Sequence, residues 1–325
     1  MKKILLLLVF RLSLLNFEVS VISHLVSIVI PTKNRVYSTK RAIQSCLEQD
    51  YSPIEIVIVD DGSEPENRLD KWVYSLDFQN VRVKFIQLDT SRGGGYARNR
   101  GVSDSSGEYV TFLDSDDVLF PDAISFNFSF HQKLDTDSIT YGKGVRSVYN
   151  NDELIRELGV YPLKEKGESQ SVGSYLFCND GRMFTPTLFM KRVVFDRVKF
   201  DTSLPRHQDY GFVLKAESLG IDLKFVDKAI FRWISDENSE SSKKKNIDLN
   251  VSSIFLDGYS CYLEDNEIKA YLAKVSSPLA IKNLKFIEYV NLNRKHLNKG
   301  AYLFSTLSLV QGLFRLIKAK VKVSI

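Results

Sequence analysis

The sequence predicts an α/β fold built on a mostly parallel sheet flanked by helices, with a helical C-terminal extension. Three observations predict it. Hydrophobic, β-branched runs alternate with helix-period segments through the first part of the chain. Polar sets rich in carboxylates stand at the ends of those runs. A charged stretch of low complexity then precedes a last part whose apolar residues recur at helical spacing.

The elements follow in order. Val26 to Ile30 is a continuous β-branched run closed by Pro31, as suits a strand buried on both faces. Ser38 to Glu48 reads as a helix through Ala42, Ile43, Cys46 and Leu47, and Ile54 to Val59 as a second strand ending in Asp60-Asp61-Gly62-Ser63. Asn67 to Leu76 is helical in pattern, Val81 to Leu88 alternates like a strand, Arg92 to Gly95 is a turn and Tyr96 to Ser103 a helix. Tyr109 to Leu113 is a strand running into Asp114-Ser115-Asp116-Asp117. Helices between strands give a parallel sheet covered on both sides. Further on, Ile124 to Leu134 reads as a helix, Ser138 to Val148 as a strand, Asn150 to Ser171 as a polar loop, Tyr210 to Leu219 as a helix and Leu223 to Trp233 as a strand pair. The domain reading is an apolar N-terminal segment over 1–25, an α/β domain over 26–235, a polar linker over 236–246 and a helical extension over 247–325.

Composition narrows the function. Of 325 residues 44% are hydrophobic and 26% charged, which supplies a core and excludes global disorder. Lys and Arg number 44 against 40 Asp and Glu, so the chain is neither histone-like nor wholly acidic, and no nucleic-acid partner is expected. From Lys282 onward nine basic residues face one acid, leaving the preceding body mildly acidic. In that tail Leu303, Leu307, Val310, Phe314, Ile317 and Val321 form an apolar stripe opposite Gln311, Arg315, Lys318 and Lys322. Such a helix suits either a membrane interface or a capping role with a solvated basic edge. Three widely spaced cysteines suggest no disulfide framework and fit a reducing compartment, and four scattered histidines suggest no zinc site. Lys2, Lys3 and the run Ile4 to Phe10 imitate a signal peptide, but Arg11 interrupts it and no small-residue cleavage site follows. The reading is a dispensable or membrane-touching start.

In open α/β sheets ligands bind beyond the carboxyl ends of the strands, where three polar sets of this chain stand. Asp114 and Asp116, two apart, point the same way from extended backbone and suit one divalent cation; the same residues also read as an acidic turn capping a helix. Asp60 and Asp61 read as an Asx-type turn or as acceptors for a base N–H or a ribose hydroxyl. The glycines of Arg92 to Gly101 let backbone approach a ligand, with Arg98 or Arg100 to counter phosphate charge. The spacing matches neither a Walker loop nor a dinucleotide fingerprint, which argues against kinase, GTPase and dehydrogenase functions.

The series VSIVIPTKNR, EIVIVDDGS, GGGYARNRG, GEYVTFLDSDD and RHQDYGF, in that order between Val26 and Trp233, resembles the family-2 glycosyltransferases of GT-A fold. The resemblance implies an inverting enzyme that uses a nucleotide-sugar donor. Pro31, Thr32 and Asn34 would line the nucleotide pocket, Asp61 would hold the base of a uridine- or thymidine-type donor with Asp60 in support, and Arg98 and Ser115 would lie near the donor. Asp114 and Asp116 would be the DXD pair holding Mn²⁺ or Mg²⁺, with Asp117 as a further ligand. Asp209 would be the catalytic base; His207 and Gln208 receive no role. Lys33 stands where the family often has an aromatic residue, and Arg232-Trp233 matches only the end of the motif of processive synthases, so a single addition is expected. The acceptor would be a glycan or lipid-linked sugar in surface polysaccharide assembly, handled by a cytoplasmic enzyme at the inner membrane face. Two rival readings are a sugar nucleotidyltransferase, which needs a Gly-rich basic loop after the first strand where PTKNR stands, and a catalytically silent binding or membrane-adaptor protein, against which Asp116 and Asp209 argue.

Overall fold

A computed structural model describes residues 24–75, 81–134, 137–150, 153–236, 248–297, 303–304 and 307–312. The first half runs β1 (Val26–Thr32), α1 (Val36–Leu47), β2 (Ile54–Asp60), α2 (Asp70–Tyr74), β3 (Arg82–Gln87), α3 (Gly94–Asp104) and β4 (Tyr109–Phe112). These strands lie parallel in the order β3-β2-β1-β4. Alternate residues of each strand enter opposite faces. Val29, Val57 and Phe112 join one apolar cluster with Ala97 and Val102 of α3, while Ile28, Ile56 and Tyr109 join another with Ala42, Ile43 and Cys46 of α1. Burial on both faces is the reason these strands read as unbroken apolar runs. The α3 helix lies close enough to the sheet that a Cβ on Gly101 would sit 2.4 Å from Val29 Cγ1.

The second half adds β5 (Val118–Leu119), α4 (Ala123–His131), β6 (Ser138–Asn150), β7 (Glu153–Tyr161), β8 (Phe189–Lys191), α5 (Arg192–Val198), α6 (Gln208–Ser218) and β9 (Asp222–Asp236). The nine-stranded sheet continues from β4 through β8, β6 and β9 to β5, with β7 on the free part of β6. The first-half strands pair parallel as the sequence pattern predicts, and antiparallel partners enter where β8 joins β4 and β6 and where β5 joins β9. Two expectations are corrected. The polar loop over 150–171 contains β7, an edge strand exposed on nearly all positions, so burial imposes no alternation on its sequence. Leu223 to Trp233 lies within one strand, whose register shifts against β6 near Gly142 to Gly144 instead of turning back.

The extension supplies α7 (Asn250–Tyr259), α8 (Asp265–Tyr271), a π-helical turn (Leu272–Ser276), α9 (Ser277–Lys282) and α10 (Phe286–His296). Its Phe255, Tyr259, Tyr271 and Leu292 share one cluster with Val29, Phe177 and Phe212, so extension and sheet bury a continuous core. Residues 307–312 are helical, with Ser308 and Gly312 buried and Leu309 partly buried against the core. Ser277 Oγ donates to the Ser308 carbonyl at 2.8 Å, and a Cβ on Gly312 would meet Ser277 Oγ at 2.3 Å. Leu303, Leu307 and Val310 are 80%, 57% and 46% exposed, so these three residues of the apolar stripe face outward. The apolar segment over 1–25 up to residue 23, most of the polar linker, and the basic tail from 313 lie outside the described residues.

Candidate active site

The carboxyl ends of β1, β2 and β4 and the start of α6 open onto one cleft of about 850 Å³. Pro31, Thr32, Asp61, Arg98, Asp114, Ser115, Asp116 and Asp209 all line it. Strand ends bring the first group together because β1 pairs with β2 through Thr32 and Asp60 and with β4 up to Phe112.

At the end of β2 the chain turns through Gly62, whose φ of 71° favours glycine and whose Cβ would lie 2.8 Å from the Ser91 nitrogen. This turn sets Asp61 against the loop before α3. The Asp61 carboxylate accepts hydrogen bonds from Ser91 Oγ (2.7 Å), the Arg92 amide (2.7 Å) and the Gly93 amide (2.9 Å). A carboxylate has about four acceptor positions, so roughly one stays open toward the cleft. Asp60 lies behind it, fully buried, and accepts from the Ser63 amide at 2.8 Å.

After β4, Asp114 and Asp116 face arginines. Arg98 of α3 forms an ion pair with Asp114 and donates to Gln208 Oε1 at 2.8 Å, tying the β4 loop to the start of α6. Arg35 Nη1 lies 2.9 Å from Asp116 Oδ2. Among the described residues no three metal-ligating side chains converge. Two hard carboxylates at one strand end nevertheless fit a Mg²⁺-type ion, which is held by one or two protein carboxylates and completed by phosphate oxygens and water.

Helix α6 begins after His207, a left-handed residue (φ 63°, ψ 28°). That conformation costs about 1–3 kcal/mol. The imidazole packs on Tyr210, Phe255 and Tyr271 at centroid distances of 5.1, 5.6 and 5.7 Å, and such ring contacts at ~0.5–1.5 kcal/mol each offset the strain. Burial pushes its pKa down to about 3, so the ring is neutral. Beyond this corner Asp209 enters the cleft from the first turn of α6. Burial pushes its carboxyl above the usual range, and nearby Asp114 adds to the rise, while the Tyr210 amide, donating at 2.9 Å, and the Arg98 charge oppose it. A buried carboxylate with raised proton affinity, on a different element from the pair beyond β4, suits proton abstraction.

Three expected residues sit apart from the cleft lining. Asn34 is spent on the Asp61 side loop, its Oδ1 accepting from the Glu64 amide at 2.8 Å. Asp60 stands behind Asp61. Asp117 is buried and turned to β9, accepting from the Ile234 amide at 2.9 Å, and burial with the neighbouring Asp116 and Asp114 raises its pKa. Conversely, sequence reasoning missed Arg35 and Gln208, which pair with the site residues, and Arg206, Lys274, Val275 and Leu279, which complete the far wall. Arg35 and Gln208 each adjoin a recognised motif, a signal that was available; the extension residues have no local signature.

An α/β sheet whose strand ends gather acids in one cleft, with helices packed beyond it, has the architecture of the GT-A class of glycosyltransferase. The model of the family described as Glycosyl transferase family 2 matches residues 27–190, and the chain belongs to that family. It is 29% identical over 278 residues to the amylovoran biosynthesis glycosyltransferase AmsB of Erwinia amylovora, covering 82% of this chain and 90% of that one. It is 31% identical over 196 residues to the putative colanic acid biosynthesis glycosyl transferase WcaA of Escherichia coli K12, covering 57% of this chain and 63% of that one. Among solved structures, S. aureus TarS 1–349 in complex with UDP-GlcNAc superposes with a TM-score of 0.62 at 16% identity, covering 88% of both chains. The mannosyltransferase PcManGT of Pyrobaculum calidifontis in complex with GDP-Man and Mn²⁺ gives 0.55 at 14% identity, covering 91% of this chain and 83% of that one. These two likenesses extend the shared fold over the helical extension.

Proposed function

We propose that this glycosyltransferase moves one sugar, with inversion, from a nucleoside-diphosphate sugar, a UDP-sugar first, onto a glycan or lipid-linked acceptor during surface polysaccharide assembly. The observation that carries the reading is the sharing of one cleft by Asp61, Asp114, Asp116 and Asp209. Relatives named for amylovoran and colanic acid biosynthesis support the polysaccharide assignment, and TarS crystallised with UDP-GlcNAc supports the donor class.

In this reading the open acceptor position of Asp61 takes a base N–H, with Pro31 and Thr32 beside it. Asp114 and Asp116 would hold Mn²⁺ or Mg²⁺, which when bound offsets charge on the departing diphosphate. Arg98 keeps Asp114 aimed at the cleft and carries positive charge to the phosphates. Asp209 accepts the proton of the acceptor hydroxyl as its oxygen attacks the anomeric carbon. The bond from that carbon to the diphosphate oxygen breaks, and its electron pair leaves with the nucleotide. Attack from the side opposite the leaving group inverts the centre.

The enzyme works on the cytoplasmic face of the membrane in this reading, with the outward stripe of Leu303, Leu307 and Val310 against the bilayer surface. Incubation with Mn²⁺ and a panel of UDP-, dTDP- and GDP-sugars should release nucleoside diphosphate slowly from one donor without any acceptor. Release from none, with no donor bound, would contradict the proposal.

A further inference from the structure

The two walls of the cleft differ in charge. On the strand-end wall, Arg35 and Arg98 are engaged with Asp116 and Asp114. The opposite wall is built by the loop before α6 and by the helical extension, and it carries Arg206 and Lys274 against the single carboxylate of Asp209. The exposed Arg206 has no carboxylate partner among the described residues. Its charge is felt at Tyr210 and at Tyr271: burial raises both phenols, and Arg206 partly offsets that rise in each. Tyr271 stands three residues before Lys274, and Arg206 and Lys274 both line the cleft. Lys274 Nζ donates to Asp180 Oδ1 at 2.7 Å, on a side chain that is 76% exposed, and to the Cys178 carbonyl at 3.2 Å. The surface pair contributes about 0–1 kcal/mol and the carbonyl bond about 1 kcal/mol, so an anion in the cleft competes for Lys274. Arg182, which also acts on Tyr210, adds positive charge behind this wall.

Resting on the transferase reading, we infer that Arg206 and Lys274 form a cationic subsite that binds an anionic group of the acceptor. Pro205, Val275 and Leu279 flank it and offer apolar contact to the carrier of that group. The left-handed corner at His207 makes the arrangement possible, since it sends Arg206 and Asp209 to the same cleft while the imidazole is anchored on Phe255 and Tyr271 of the extension. An anion held by the cations keeps an acceptor beside a carboxylate that would otherwise repel it. Either a phosphate or a uronic carboxylate meets this chemistry.

The test uses the full chain with its nucleotide subsite filled by Mn²⁺ and whichever of UDP, dTDP and GDP binds. Decyl diphosphate, decyl glucuronide and decyl glucoside are then titrated calorimetrically. At least one anionic probe should bind about tenfold more tightly than the neutral glucoside, the scale of a charge-assisted contact, and the better of the two identifies phosphate or carboxylate as the group recognised. Arg206→Ala with Lys274→Gln should abolish that preference, Arg206→Lys should keep it, and nucleotide affinity should change by less than about twofold in both variants. Equal affinity for the three probes, a preference that survives the double substitution, or displacement of the nucleotide by the probe would overturn the subsite alone. Failure of every nucleotide to bind the unmodified protein would overturn the transferase reading beneath it.

Discussion

Asp209, the proposed base, lies in surroundings that disagree about its charge. Burial favours the protonated form, and Arg98 favours the ionised one. The base works only when ionised, so the acid limb of the pH–rate profile should lie above the ordinary aspartate range. Arg98→Leu, which removes the opposing cation, should move that limb further up, measured as the pH at half-maximal donor turnover with acceptor present; an unchanged limb would dissociate Arg98 from the base. His207 gives a separate signature in stability. Its folded pKa is held near 3 by burial, while the unfolded ring titrates near 6.5. Between those values the unfolded state binds the extra proton, so stability present above pH 6.5 is lost as pH falls. His207→Phe should therefore melt progressively higher relative to the unmodified protein as pH is lowered from 7 to 5, followed by thermal unfolding.

At the scale of elements, the close seat of α3 on β1 sets where Arg98 stands. Gly101 faces Val29 with no room for a side chain, so Gly101→Val should destabilise the protein by about 1–3 kcal/mol in urea unfolding and weaken nucleotide binding with it. The elements easiest to read in the sequence were those whose burial is uniform. Strands β1, β2 and β4 are closed on both faces and announce themselves as apolar runs that end at the site. Strand β7 was invisible because little of it is buried. The start of α3 was misread by two residues because Gly94 and Gly95, which signal a turn, begin the helix where it approaches Gln208. Of the acids lining the cleft, Asp61, Asp114 and Asp116 were legible because they follow β2 and β4 closely. Arg206 and Lys274 were not, since their approach depends on a left-handed corner and on packing between distant segments.

On the scale of the whole molecule, the extension is both a wall of the cleft and a carrier of outward apolar surface. Among the described residues no helix is long and apolar enough to cross a membrane. The surface contact proposed here is carried by the exposed side chains of Leu303, Leu307 and Val310. Because Phe304, Ser308, Leu309 and Gly312 make the inward contacts, replacing Leu303, Leu307 and Val310 by serine should leave the fold intact. The triple variant should stay in the supernatant when vesicles rich in anionic phospholipid are sedimented, whereas the unmodified protein should pellet; equal pelleting would assign the stripe no part in attachment.

The division of labour between two carboxylate centres in one cleft is best tested by titrating the nucleotide that binds the enzyme, with and without Mn²⁺, into Asp116→Asn and Asp209→Asn. The account predicts that Asp116→Asn loses the part of the affinity that depends on Mn²⁺, while Asp209→Asn binds as the unmodified protein does yet transfers no sugar. Metal-dependent binding that persists in Asp116→Asn, or full transfer by Asp209→Asn, would contradict it.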